Sequence, residues 1–116
     1  MENHLENLSE EVQHEFEAAW GNVFQIVNNF LKAHDQFGFS LIAQKIHPSI
    51  EDMLLSLKMM GVILNFLGGH PDVDLRMLLN AKQQILLFEQ ASLALQTQNK
   101  ADYDKLVIQM RAQAQF

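Results

Sequence analysis

From Val12 onward, positions of one kind return at helical intervals. Val12, Phe16, Ala19, Val23, Val27, Phe30 and His34 follow steps of three, four and seven, and Trp20, Phe24 and Leu31 form a second ridge beside them. Residues at that period line one side of an α-helix. Ser9 is a suitable N-cap, and Glu10 and Glu11 stand where the helix dipole favours negative charge. The pattern therefore predicts a first helix over residues 10–35, with residues 1–8 frayed ahead of it. Gly38, between Phe37 and Phe39, ends it. Ser40 to Ile46 reads as a short helix stopped before Pro48, because the residue preceding a proline avoids helical angles.

Ser49 then caps a second principal helix, with Asp52 in the place of a capping-box acid. From Ile50 to Leu67 this helix is apolar almost all round, which suits an element that is central or lies in an interface. Gly61 costs about 1 kcal/mol in a helix interior relative to alanine, so it predicts close approach by a neighbouring helix. Gly68, Gly69 and Pro71 close the segment. Asp72 or Asp74 caps a third helix over 75–97. One of its rows is Leu78, Ile85, Phe88, Ser92 and Leu95, and Leu75, Leu79, Leu86 and Leu93 run beside it. Asn99 caps a last helix through Tyr103, Leu106, Val107, Met110 and Ala114. Short connections make consecutive helices antiparallel. The expectation is one all-α domain over 1–116, an antiparallel bundle of four principal helices plus one short helix.

Composition narrows the functional classes. Apolar residues make up 48% of the 116 residues, and charged residues 19%. This is a folding chain with a surface poorer in charge than the usual share of about 25%. A net charge of −6 argues against a general phosphate-binding face, so no direct nucleic-acid contact is expected. The absence of cysteine excludes disulfides, a thiolate nucleophile and Cys-ligated metal. Residues 1–17 contain neither a basic nor an apolar region of the export type. The longest apolar stretch, Met53 to Leu67, includes Lys58 and is shorter than the about 20 residues a membrane span needs. A cytoplasmic protein without membrane contact is expected.

The residues that could carry chemistry are better explained otherwise. Glu11 and His14 have the E-x-x-H spacing of carboxylate-bridged di-iron bundles, but those sites need a second such pair and two further inward glutamates, and neither is present. His70, Asp72 and Asp74 share a loop in which turn and cap roles already account for them. The serines lack a G-x-S-x-G setting, and no phosphate-cradling glycine loop occurs. Neither an enzyme nor a cofactor is expected, and no residue is assigned a catalytic or metal-binding role.

What remains is a binding protein. The leading expectation is a non-enzymatic helical protein–protein interaction module: a small regulator, adaptor or chaperone-like protein, homodimeric. The supply of apolar helix surface, with adaptable methionines, exceeds what one four-helix core uses. Trp20, Phe24, Met59 and Met60 are the candidate self-association or partner residues. Two alternatives stand beside it. Six of the fourteen acids lie in residues 1–18, where no Lys or Arg occurs. Glu6, Glu10 and Glu17 would be the contact of an acidic inhibitor that blocks a basic nucleic-acid-binding partner. A small-molecule carrier would instead hold its ligand between helices near Trp20, Phe24 and Met60.

Overall fold

The computed structural model describes the backbone of residues 2–113 and the side chains of residues 10–44 and 49–113. It is all-α, with no strand among the described residues. Its helices are α1 (Glu2–Leu41), α2 (His47–Leu67), α3 (Leu75–Gln96) and α4 (Lys100–Gln113). A π-helical turn, Ile42–Ile46, leads into α2.

The break expected at Gly38 is there: φ is 76° and ψ 175°, a region essentially reserved for glycine. Two other boundaries differ from the sequence expectation. Ser9 lies inside α1, which begins ahead of it, so the serine does not start the helix. Nor does Pro48 separate a short helix from the next one. The segment after Gly38 runs straight into α2 through the π turn, and Ser49 lies within that helix. A proline inside a helix lacks one N–H and crowds the carbonyl four residues back. Here the backbone stays helical through the proline by way of the π turn.

The later boundaries follow local chemistry. Asp74 caps α3, its carboxylate accepting from Arg76 N–H at 2.8 Å. At the other end Gln98 N–H donates to Leu95 O and Asn99 N–H to Ala94 O, with Gln98 at φ 55°. This is a Schellman closure with glutamine in the left-handed position usually given to glycine. Asn99 starts α4 reciprocally: its Oδ1 accepts from Asp102 N–H at 3.2 Å and its amide donates to Asp102 Oδ2 at 2.8 Å.

α1 and α3 are the central pair. Each packs against the other three helices, whereas α2 and α4 lie on opposite sides and do not touch among the described residues. Gln13 Nε2 donates to Asp72 O at 3.1 Å, tying the early part of α1 to the α2–α3 turn. Towards the opposite end, Phe30 meets the rings of Phe88 and Tyr103, and Arg111 grips both carboxylate oxygens of Asp35 at 2.7 and 3.3 Å. Inside α3, buried Gln84 donates from Nε2 to Met110 O at 3.0 Å, anchoring the last turns of α4. The core runs along α1 through Phe16, Val23, Val27 and Phe30, and along α2 through Ile50, Leu57 and Leu64 at intervals of seven. The 14 residues of α4 span about 21 Å at 1.5 Å per residue, so this helix covers only part of the molecule's 57 Å length.

Candidate interaction surface

α2 holds two seams. The inward one is Ile50, Leu57 and Leu64, each essentially sealed. The outward one is Leu55, Met59, Val62 and Phe66, spaced four, three and four, and these side chains are 61, 57, 70 and 84% exposed. The helix is apolar almost all round, and the chain covers only one side of it.

α3 continues this surface. Of its two rows, Leu78, Ile85, Phe88, Ser92 and Leu95 turn towards the bundle. Leu75, Leu79, Leu86 and Leu93 remain exposed. Val62 of α2 and Leu86 of α3 line one groove together with Lys58, Lys82 and Glu89, and Leu54, Leu86 and Leu93 line the groove next to it. At Gly61 a Cβ would stand 3.4 Å from Ile85 Cδ1, ordinary contact with one flexible side-chain tip. The close helix approach expected from the sequence at this glycine is therefore not what the structure requires of it. Lys58 Nζ bridges across to Glu89 Oε1 at 3.8 Å.

From these exposures the α2–α3 face leaves on the order of 1,000 Å² of apolar side chain in solvent, against about 300–600 Å² for the largest patch of an ordinary monomer. An apolar area of that size is unfavourable in water and is relieved when another apolar surface covers it.

The residues singled out from the sequence are distributed unevenly about this face. Met59 is on it. Met60, one position round the helix, is half-buried against the core. Phe24 is buried, with its ring centroid 4.5 Å from that of half-buried Trp20. Both ridges of α1 are thus used inside the chain, and neither Trp20, Phe24 nor Met60 lines the grooves of the α2–α3 face. Leu55, Val62 and Phe66 were not singled out, although their four-three-four spacing with Met59 is visible in the sequence. It is masked there because the inward row at intervals of seven is apolar as well.

Glu10 and Glu17 are exposed on α1, seven residues apart. The side chain of Glu6 lies outside the described residues. Glu11, His14 and Glu15 are exposed beside Glu10. Among the described residues no three His, Asp or Glu side chains stand close enough to hold a metal ion. In the α2–α3 turn His70 Nδ1 accepts from Asp72 N–H at 3.2 Å, while Asp74 is engaged as the cap of α3. Among the described residues, no helix is long and apolar enough to cross a membrane.

One polar pair joins α4 to α1. Tyr103 is fully buried, its hydroxyl 2.9 Å from His34 Nδ1, with the rings of Phe30 and Phe39 beside it. Burial, and secondarily the Asp104 carboxylate, push the phenol well above its ordinary range. A phenol that keeps its proton stays neutral in this apolar setting, and the pair ties α4 to α1.

No protein-family model matches the chain, and no curated protein and no solved structure matches it either.

Proposed function

We propose that the protein is a non-enzymatic helical interaction module, a small regulator, adaptor or chaperone-like protein that acts by contact through the outer face of α2 and α3 and associates as a homodimer. The observation that carries this reading is the apolar area left open by Leu55, Met59, Val62 and Phe66 with the outward leucines of α3. It is of the same order as the about 800 Å² that each partner contributes to a standard protein–protein interface. Methionine and leucine on a helix face adapt their rotamers to an incoming helix. In this reading the protein works in the cytoplasm, with neither membrane nor nucleic acid as its direct partner.

Sedimentation equilibrium at micromolar concentration tests the reading. The wild-type chain is expected at twice its 13.3 kDa mass. Val62→Glu and Phe66→Glu change side chains that the monomer does not use, so each should give a 13.3 kDa species with unchanged far-UV circular dichroism. A wild-type chain that stays monomeric throughout this range overturns the homodimer and removes the main support for the face as a working surface.

A further inference from the structure

The two rows of the α2–α3 face are not equivalent. From Leu55 to Phe66 the outward seam of α2 has one charge at its α3 edge, Lys58, which is already bridged to Glu89. The outward row of α3 has Lys82 between Leu79 and Leu86, and Glu89 between Leu86 and Leu93. Charge is depleted at the centre of protein interfaces and collects at their rims. By that criterion α2 forms the centre of this face and α3 its rim.

Resting on the interaction reading above, we infer that the occupant is a second copy of this chain, docked with its α2 antiparallel to α2 about a two-fold axis that crosses the seam between Met59 and Val62. Such an axis lies in the interface at right angles to the helices, so it sets α2 on α2 and α3 on α3. Alternating steps of three and four are the spacing by which two helices mesh side by side. In this register Met59 faces Val62 of the partner subunit and Leu55 faces Phe66 of the partner subunit, so each layer pairs a larger side chain with a smaller one.

The rim charges choose the same axis. Gly61 stands level with Ile85, and Lys58 with Glu89. A two-fold axis at the level of residues 60 and 61 therefore crosses α3 at residues 85 and 86, midway between Lys82 and Glu89. It brings Lys82 level with Glu89 of the partner subunit, and Glu89 level with the partner's Lys82. A two-fold axis running along the helices would instead lay α3 of one copy on α2 of the other. Lys82 would then be pressed onto the apolar seam of the partner subunit, losing water without gaining a carboxylate.

The chain contains no cysteine, so a single introduced thiol can be spin-labelled without background. Labels at Asp52→Cys, Ser56→Cys and Asn65→Cys, all exposed positions on α2, report the separation between copies by pulsed electron resonance. Antiparallel docking predicts a separation that grows by about 3 Å per residue on either side of residues 60 and 61, twice the helical rise. Ser56 and Asn65 should then give similar distances and Asp52 a longer one. Equal distances at all three positions in a protein that sediments as a dimer overturn the register and leave the interaction reading intact. A monomer in the same sedimentation experiment overturns the homodimer itself. A charge exchange supplies an independent arm: Lys82→Glu should weaken dimerisation by about tenfold, because the two-fold introduces the repulsion twice, and reversing Lys58, Lys82 and Glu89 together, which keeps the Lys58–Glu89 bridge within each copy, should restore it. Failure of the full exchange to restore association also overturns the register.

Discussion

The Tyr103 hydroxyl and His34 Nδ1 are 2.9 Å apart, a hydrogen bond joining residues 69 positions apart in the chain. It places α4 against the C-terminal half of α1, and the Phe30 and Phe39 rings close round it. The bond survives in an apolar setting because each polar atom has the other as its partner.

Tyr103 is the chain's single tyrosine, so its phenolate absorbance near 295 nm has one source. The folded phenol is held above its ordinary range by burial and by Asp104, whereas the unfolded one ionises near about 10. As pH rises past that value the unfolded chain loses its proton first, and stability falls from there upward. The expected record is a phenolate signal that lags in native protein and appears together with loss of helical circular dichroism. In denaturant it should appear at the ordinary value. Ionisation of the native protein near pH 10 with full helicity retained would show an accessible phenol, contrary to this packing.

Two glycines should respond to alanine in opposite directions. Gly38 has the φ and ψ of the glycine-only region, so Gly38→Ala should cost about 1–3 kcal/mol. Gly61 is helical, and an added Cβ meets only the terminal methyl of Ile85 at 3.4 Å. Gly61→Ala should leave stability unchanged or raise it by up to about 1 kcal/mol. Urea denaturation of the two variants measures both, and equal losses would contradict the local geometry at one of the sites.

Gln98 occupies the left-handed position after α3. Gln98→Gly should raise stability by about 0.5–1 kcal/mol, since the strain of a Cβ in that conformation outweighs the extra freedom glycine has when unfolded. A higher denaturation midpoint at unchanged slope is the expected result. A lower midpoint would mean that the α3–α4 connection is not closed in this way.

Much of the fold was legible in the sequence because its causes are local. The step of three and four through Phe16, Val23 and Phe30 needs only the 3.6-residue turn. Asp74 and Asn99 cap because a side-chain oxygen reaches an N–H two or three residues on, and Gly38 breaks α1 because few other residues tolerate its angles. Pro48 shows the limit of local reading: the rule that a proline stops a helix gives way where a π turn leads straight into the next helix. The working surface was beyond any local rule. Periodicity shows that α2 is apolar on both sides, but a row at intervals of seven through Ile50, Leu57 and Leu64 and a four-three-four row through Leu55, Met59, Val62 and Phe66 are equally good seams. Which of them is buried depends on where α1 and α3 stand. That is a sum over contacts between residues distant in sequence, and only the tertiary structure decides it: it spends Phe24 and most of Trp20 on the core and leaves Phe66 in water.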